Sequence, residues 1–440
     1  MDSLIFEYEN NCQVDSTELN ALHGKLLPEI ERISQVRSHG GYTTDYASIN
    51  LSFDPEILKT VVAIAKEKKS LDPTILVVIG IGGSNLGTIA VLEALRGTFY
   101  NREQDIAVYF VDTVDADHSN DIAQVVEHEL ETGNNIILNV ISKSGSTTET
   151  IANFEVFLKI LKSHRPYNYH QFVVATTDKN SELWNLAQKE EFTLLTIPEL
   201  VGGRYSVFSA VGLFPLCFLN INCKELLAGA QSGFEISTTT TASNYAALSA
   251  TIITAHYNRG VVIHDTLLFS VALESLGAWY RQLSAESLGK AFNKNNELVN
   301  IGILPTISIG STDLHSVAQL YLAGPHNRFT TFINVAHNAA QIMLPNYQEF
   351  ESLVPHIQTK SLASIMNAIL EGTKKAYFND NRPFVSWTLP EKSAYSIGQL
   401  MQIKMLETMY LGYLLNINPF DQPEVEKYKK ETRDILAKNF

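Results

Sequence analysis

Five short apolar runs recur in the first half of the chain. Each is rich in β-branched or large apolar residues and is too short for a helix, so each predicts a strand. Because the runs are apolar throughout instead of alternating with polar residues, we expect strands that are buried on both faces. The runs are ILVVI (75–79), IAVYFVD (106–112), NIILNVIS (135–142), FVVATT (172–177) and FTLLTI (192–197).

The segments between these runs have the character of helices. One helix is expected from the glycine turn after Ile79 to Arg96, and another from Asp117 to about Leu130. A third is expected to begin near Glu149, where apolar residues recur at helical spacing, and a fourth lies between the last two runs. This alternation predicts an α/β fold with a mainly parallel sheet covered by helices on both faces.

The second half shows the same kinds of element with larger insertions. Strands are expected in VVIHDTLLFS (261–270), NIGILPTISIG (300–310) and RFTTFINVA (328–336). Long helices are expected in SLASIMNAILEGTKKAYF (361–378) and YSIGQLMQIKMLETMYLGYLLN (395–416). We interpret this half as a second α/β domain.

The hydroxyl-rich segment ISTTTTASN (236–244) separates the two halves and predicts a domain boundary. The predicted organisation has four parts. They are an N-terminal helical lead-in (1–60), a first α/β domain (61–235), a second (236–415) and a C-terminal helix (416–440).

Length and composition agree with this organisation. A chain of 440 residues exceeds one ordinary core, and 45% apolar with 18% charged residues is typical of a folded globular protein. The formal net charge is −14, from 33 basic and 47 acidic residues, so a general nucleic-acid partner is not expected. An anion could still bind where the surface is locally positive.

The chain carries no signal for secretion, membrane insertion or disulfides. Cys12, Cys217 and Cys223 are isolated, which favours a reducing cytoplasm. The start lacks a basic region followed by a long apolar stretch, so no signal peptide is expected. The most apolar segment of the chain is interrupted in its middle by a glycine cluster, which fits a turn better than a membrane span.

A glycine-rich turn, GIGGSNLG (80–87), follows the first predicted strand. It matches neither nucleotide-binding pattern, because Asn85 stands where a dinucleotide fingerprint needs its third glycine, and the Gly-Lys-Ser/Thr of a P-loop is absent. Two interpretations remain open: a turn that only connects strand to helix, or a turn that lets a ligand approach the backbone.

A serine-rich loop, SKSGSTT (142–148), follows the strand at 135–142. Ser146 and Glu149 have the spacing of a capping box, so the loop could simply cap the next helix. Five short hydroxyl side chains exceed what a cap needs. Because a helix N-terminus offers free N–H groups, the loop favours a phosphate site at the carboxyl edge of the sheet.

Four further motifs contain candidate catalytic residues. Arg204 in ELVGGRYSVFSAVG could stabilise a negative oxygen, and Glu286 in RQLSAESLGK could act as a general base. His315 follows a strand in GSTDLHSVAQ. Gln422 and Lys429 in NPFDQPEVEKYKK are two helical turns apart and could face one site. Taken singly, each could be an ordinary salt bridge, a structural histidine or a solvated charge. No zinc motif or tight His/Asp cluster is present, so no metal is expected.

Together and in this order, these motifs resemble the glucose-6-phosphate isomerase (phosphoglucose isomerase) family, whose members are built from two SIS (sugar isomerase) domains. The likeness runs from about residue 75 to 430. The arginine motif, ESLGK, TDLHS and FDQPEVE carry most of its specificity. Two positions depart from the family pattern: Leu288 stands where some members have asparagine, and Glu424 where the motif usually has Gly or Ala.

The resemblance implies two three-layer α/β/α domains, no cofactor, and a role for each motif residue. Gly83 and Ser84 would line the sugar site, and Gln422 would position the substrate. Arg204 would stabilise the intermediate, Glu286 would be the base, and His315 and Lys429 would assist ring opening. The phosphate ligands implied by the family are Ser142, Lys143, Ser144 and Thr147.

The resemblance further implies the reaction and the assembly. The expected substrates are glucose 6-phosphate and fructose 6-phosphate, interconverted through a cis-enediolate in glycolysis and gluconeogenesis. In this family the histidine comes from the neighbouring subunit, so an obligate homodimer is expected. Alternatives are a related isomerase acting on mannose or amino-sugar phosphates, a bifunctional glucose/mannose enzyme, and a sugar-phosphate sensor without turnover. A Rossmann oxidoreductase is disfavoured by the missing glycine.

Overall fold

The computed structural model describes residues 4–102, 104–241 and 243–438. Within them the chain forms twelve strands, ten of which belong to two five-stranded sheets. The strands are β1 (Ile5–Glu7), β2 (Pro73–Ile79), β3 (Ala107–Val111), β4 (Asn135–Ile141), β5 (Val173–Asp178), β6 (Thr193–Ile197), β7 (Ile263–Leu268), β8 (Lys290–Phe292), β9 (Leu298–Ile301), β10 (Leu304–Ile309), β11 (Arg328–Val335) and β12 (Phe384–Leu389).

Fourteen α-helices are found in the same residues and cover the sheets. They are α1 (Ser16–His39), α2 (Pro55–Lys69), α3 (Leu86–Arg96), α4 (Ala116–Glu131), α5 (Thr148–His164), α6 (Glu182–Lys189), α7 (Ala210–Phe218), α8 (Cys223–Ile236), α9 (Tyr245–Asn258), α10 (Glu274–Leu288), α11 (Ala318–Ala323), α12 (Leu362–Asn379), α13 (Ala394–Leu414) and α14 (Val425–Leu436).

The first sheet contains the five strands predicted from the apolar runs, in the order β3-β2-β4-β5-β6, and all its pairings are parallel. Its central strand β4 is buried from Ile136 to Ile141, as its continuous apolar sequence indicates. Because the strands are parallel, the segments after β2, β4, β5 and β6 leave the sheet at one edge. The glycine turn, the serine-rich loop and the arginine motif are therefore neighbours.

The second sheet has the order β1-β12-β11-β7-β10. Its predicted strands β7, β10 and β11 pair in parallel, and so do β11 and β12. The sequence analysis missed two of its strands, β1 and β12. β1 pairs antiparallel with β12, Phe6 opposite Trp387, so the N-terminal segment adds a strand to this sheet as well as the helix expected there.

Helix α13 is the central element of the molecule. Every residue from Ser396 to Gly412 is buried, and helix α8 packs closely against it because glycines lie at the contact. A Cβ on Gly398 would lie 2.0 Å from the carbonyl oxygen of Leu226.

A buried ion pair within α13 is bonded to α10 through the hydroxyl of Tyr280. Lys404 Nζ lies 2.8 Å from Glu407 Oε2, and Tyr280 of α10 donates to Glu407 Oε1 at 2.6 Å. Pairing and hydrogen bonding compensate for the burial of these charges, and they fix α10 against the core.

These observations confirm the predicted α/β fold with mainly parallel sheets and with helices in the N- and C-terminal segments. None of the helices in the described ranges is long and apolar enough to cross a membrane. The domain limits stay a prediction. The proposed limit at 61 falls within α2, whereas those at 236 and 415 coincide with the ends of α8 and α13.

Candidate active site

The glycine turn lies against the arginine motif with no room for side chains. It continues from β2 into a short 3-10 helix, Gly82–Ser84. A Cβ on Gly83 would lie 2.1 Å from the carbonyl carbon of Gly203 and 2.6 Å from the backbone N of Arg204. Glycine is therefore required here by the close approach of two backbones. Ser84 is the last residue of this 3-10 helix and is partly exposed.

The serine-rich loop forms a compact turn at the N-terminus of α5. Ser142 is buried and its hydroxyl lies 2.9 Å from that of Thr147, while Ser144 and Ser146 are exposed with their hydroxyls 3.4 Å apart. Thr147 is the N-cap residue, and its side chain makes no capping hydrogen bond. The alternative that the spacing of Ser146 and Glu149 allowed, a capping box, is therefore not formed. The hydroxyl groups are turned toward one another and toward solvent instead of the helix N–H groups.

The β5–α6 turn holds this loop in place through hydrogen bonds to the loop's backbone carbonyls. The Thr177 hydroxyl donates to the Ser142 carbonyl at 2.6 Å, and the backbone N–H of Asp178 donates to the Lys143 carbonyl at 3.2 Å. Gly145 has a φ of 73°, and a Cβ there would lie 2.6 Å from the backbone N of Leu183. The loop is thus anchored to the β5–α6 turn through its backbone carbonyls and not through its hydroxyl or lysine side chains.

Asp178 is a charged neighbour of the loop that the sequence analysis did not single out. Burial raises the pKa of its carboxyl group to about 6, opposed by the positive charge of Lys143 and assisted by the negative charge of Glu199. Its Oδ1 atom is buried without a hydrogen-bond partner among the described residues. An acidic group with a raised pKa therefore lies beside the candidate phosphate loop.

Arg204 connects the arginine motif to two distant parts of the chain. Its guanidinium group is buried; Nε donates to Ser287 at 2.7 Å, and Nη2 donates to the Pro419 carbonyl at 2.7 Å. Nη1 contacts Glu286 Oε2 at 3.3 Å and also bonds the side-chain oxygen of Gln422. The planar group thus brings three of the predicted site residues together.

Glu286 lies in the last turn of α10, and both of its carboxylate oxygens are held. Oε2 faces Arg204, and Oε1 accepts a hydrogen bond from Gln282 Nε2 at 3.1 Å. Its side chain is 31% exposed, so a ligand can reach it. Gln282 was missed in the sequence analysis. The signal was available, because Gln282 precedes Glu286 by four residues and so lies on the same helix face.

Lys290 is a second functional candidate that was missed. Its ammonium group donates to the Glu286 carbonyl at 2.9 Å and lies 3.0 Å from Asp421 Oδ1. Burial lowers the pKa of Lys290, opposed by its bond to Asp421. A cavity of about 460 Å³ adjoins this group and is lined by Glu286, Gln422 and Glu424 among others. Glu424 is therefore beside the site, whereas Leu288 is buried.

Lys429 is placed differently. It lies on α14, a helix with no buried residue, and its ammonium group contacts Glu426 Oε1 at 2.7 Å. Among the described residues its hydrogen bonds go to Glu426 alone. Gln422 reaches Arg204, but Lys429 does not.

His315 lies away from Glu286 within one chain. It ends the 3-10 helix Thr312–His315, is exposed, and makes no hydrogen bond or ion pair with the described residues. Glu286 lies near the start of β10, since a Cβ on Gly302 would lie 3.4 Å from Gly289 Cα. His315 follows the end of β10, and six strand residues span about 17 Å. The two side chains therefore lie at opposite ends of this strand.

Comparison with known proteins identifies the family. The family model described as phosphoglucose isomerase matches residues 65–439, most of the chain. The chain belongs to the phosphoglucose isomerase family. The resemblance stated from the motifs is thereby confirmed, and with it the prediction that the chain is an enzyme of this family.

Relatives of this phosphoglucose isomerase family member match along almost the whole length. A probable glucose-6-phosphate isomerase of Methanococcus maripaludis is 31% identical over 438 residues, which cover 99% of this chain and 94% of that one. A glucose-6-phosphate isomerase of Fusobacterium nucleatum is 31% identical over 436 residues, covering 97% and 93%.

Solved structures share the fold. A hypothetical protein of Thermus thermophilus superposes with a TM-score of 0.86 at 30% identity and covers 99% of this chain and 100% of that chain. A glucose-6-phosphate isomerase of Chlamydia trachomatis gives a TM-score of 0.83 at 22% identity, with coverage of 99% and 89%. At that identity the second likeness concerns the fold alone.

Within the described residues, no group of three or more His, Cys, Asp or Glu side chains could hold a metal ion.

Proposed function

We propose that this chain interconverts glucose 6-phosphate and fructose 6-phosphate through a cis-enediolate, with Glu286 as the base. One observation carries the proposal: the Glu286 carboxylate lies 3.3 Å from the buried guanidinium of Arg204, at the place where the glycine turn, α10 and the C-terminal segment meet. A base next to a fixed positive charge suits proton removal from carbon with charge developing on the neighbouring oxygen.

The reaction needs one carboxylate and one cation. Glu286 takes the proton from C2 of the open-chain aldose and returns it to C1, while the C1 carbonyl oxygen gains a proton and the C2 hydroxyl loses one. Arg204 stabilises the negative oxygens of the enediolate between these steps. Gln282 and Gln422, which bond Glu286 and Arg204 in the free protein, hold the two groups in orientation for the substrate.

The phosphate group of the substrate would bind at the serine-rich loop. The short hydroxyl side chains of Ser142, Ser144 and Thr147 supply donors at the N-terminus of α5, and Lys143 supplies a positive charge. Gly83 and Ser84 would lie along the sugar between this loop and Glu286. The phosphate takes no part in the chemistry, but its binding energy positions the reacting carbons.

Ring opening requires a group that delivers a proton to the ring oxygen O5 as the C1–O5 bond breaks and the C1 hydroxyl loses its proton. An imidazole suits this near neutral pH, and we assign it to His315. In this proposal Lys429 assists ring opening, after its ammonium group has left the ion pair with Glu426. Because His315 and Glu286 of one chain lie at opposite ends of β10, His315 would serve the site of a second copy.

An exposed apolar segment supports the homodimer that this assignment needs. It follows β11, which is parallel to β10, so it leaves the second sheet at the same edge as His315. Its exposed large side chains would be covered in a dimer. They are Ile342, Met343, Tyr347, Phe350, Leu353, Val354 and Leu362.

A coupled assay tests the function. Purified protein is given fructose 6-phosphate, and the aldose product is followed as NADPH through glucose-6-phosphate dehydrogenase. We expect Glu286→Gln to lower kcat by about three orders of magnitude or more with KM near that of the unchanged protein, because the substitution removes the base but keeps the shape. Glu274→Gln, at the exposed start of the same helix, is the matched control.

Full activity of Glu286→Gln would refute the mechanism. Absence of activity in the unchanged protein would refute the substrate assignment, and an aldose–ketose assay over mannose and amino-sugar phosphates would identify a related isomerase. The reversible reaction would serve glycolysis and gluconeogenesis in the cytoplasm.

A further inference from the structure

A buried aspartate bonds the elements on either side of the turn that carries His315. Asp265, on β7, is fully buried, and its Oδ1 atom accepts hydrogen bonds from three hydroxyl groups. Two of them belong to β10: Thr306, and Ser308 at 3.1 Å. The third is the hydroxyl of Tyr321 on α11, at 3.3 Å. One carboxylate thus connects the strand before His315 to the helix after it.

Tyr321 is the critical connection. Its hydroxyl lies 2.8 Å from that of Ser308, and the guanidinium of Arg328 lies 3.7 Å from the centre of its ring. The ring itself is buried. Helix α11 has only six residues, and two residues separate it from the short helix that His315 ends, so a fixed Tyr321 limits the movement of the whole turn.

A second aspartate anchors the other side of the turn. Asp313 Oδ2 accepts from the backbone N–H of Ile309 at 2.7 Å, and its Oδ1 accepts from Ser316 at 2.9 Å. These bonds hold the start of the turn to the end of β10. His315 itself has no partner among the described residues, so its position depends on the backbone that carries it.

We propose that Asp265 and Tyr321 are positioning residues for His315. They fix the turn that carries His315, and so place its imidazole where ring opening at its site requires it. This rests on the proposed function. Neither residue touches the substrate, and both act through the backbone of the turn. Positioning of this kind matters because a misplacement of about 1 Å in a catalytic group can cost a hundredfold in rate.

The test compares two tyrosines of one cluster. Tyr321→Phe removes the hydroxyl that joins α11 to Asp265, whereas Tyr377→Phe removes a buried hydroxyl of the same apolar cluster that bonds neither Asp265 nor α11. We expect Tyr321→Phe to lower kcat about tenfold with KM within about twofold, and Tyr377→Phe to change neither appreciably. Ser308→Ala, which removes the other hydroxyl of the pair, should resemble Tyr321→Phe and replaces it if that variant does not fold.

The isotope effect identifies the step that slows. Glucose 6-phosphate deuterated at C2 reports proton removal by Glu286. If ring opening has become limiting, the isotope effect on kcat in Tyr321→Phe will be close to unity, as in His315→Gln. A large isotope effect accompanying a loss of rate, or an unchanged kcat in Tyr321→Phe and Ser308→Ala, would overturn the proposal. Inactivity of the unchanged protein would instead refute the proposed function.

Discussion

Arg204 shows how one residue can assemble a site from distant parts of the chain. Its guanidinium bonds a hydroxyl of α10, the Glu286 carboxylate, the Gln422 side chain and two backbone carbonyls after α13. Lysine offers a single point charge and cannot reproduce this planar set of donors. The arginine is therefore needed for the shape of the site as well as for its charge.

Asp178 provides a test of how burial and charge act on the fold beside the serine-rich loop. Its folded-state pKa of about 6 exceeds the value of about 3.9 expected in an unfolded chain. The fold therefore prefers the protonated form, and the stability that this preference contributes is present below about pH 4 and is lost as pH rises through 6. We expect Asp178→Asn to raise Tm by roughly 1 to 3 °C at pH 8 and to leave it almost unchanged at pH 4.

The exposed Asp121→Asn is the control for this prediction, measured by calorimetry at both pH values. A stabilisation of equal size at pH 4 and pH 8 would show that charge is not its cause.

For single residues, the sequence predicted which side chains belong to the candidate site better than it predicted their hydrogen-bond partners and burial. The motifs singled out Arg204, Glu286 and Gln422, and the structure brings these three side chains together, while their roles stay predictions. Motif context was not enough for Asp178, because a raised pKa depends on burial, and burial is decided by packing. Gln282 is held near Glu286 by helix geometry, and Lys290, the first residue of β8, by a hydrogen bond to the Glu286 backbone carbonyl; an interpretation of single residues considers neither.

The serine-rich loop is an element whose proposed role can be tested separately from the chemistry. We expect Ser144→Ala combined with Thr147→Ala to raise KM about 10- to 100-fold with little change in kcat, because two hydrogen bonds to a charged phosphate are lost in both ground and transition states. Steady-state kinetics with fructose 6-phosphate would measure this.

Ser163→Ala, at the far end of α5, is the matched control, since its hydroxyl bonds within its own helix end. A defect in kcat alone for the double variant would argue against phosphate binding by the loop.

The helices and strands that the sequence predicted are those whose own hydrophobic pattern is sufficient to identify them. The apolar runs of the first sheet and the long periodic segments of α12 and α13 are of this kind. β1 has three residues and exists only because β12 offers a free edge. The three residues alone therefore do not predict a strand. The spacing of Ser146 and Glu149 allowed a capping box, but none forms, because hydroxyls of the serine-rich loop bond one another.

The assembly of the whole molecule can be decided with mixed dimers. A dimer of one His315→Gln chain and one Glu286→Gln chain, isolated through two affinity tags, contains one intact site if His315 acts across the interface. We therefore expect about half of the activity of the unchanged dimer, although each parent variant is nearly inactive. The coupled assay gives the measurement.

The reverse pairing is the control. A chain with both substitutions, paired with an unchanged chain, has no intact site if the histidine comes from the partner and one intact site if it does not. Activity in this dimer and none in the first would show that each chain uses its own His315.

The hydrogen bond from Arg204 to the Pro419 carbonyl spans 215 residues of sequence, and this has a consequence for synthesis on the ribosome. The first sheet can form as soon as its strands have emerged, because N-terminal parts of a chain generally fold first. The guanidinium of Arg204 must then wait, without these partners, until the second sheet and α13 have been made. We therefore expect the Arg204 network of a nascent chain to form only after residues 419–422 have emerged, when most of the structure is already in place.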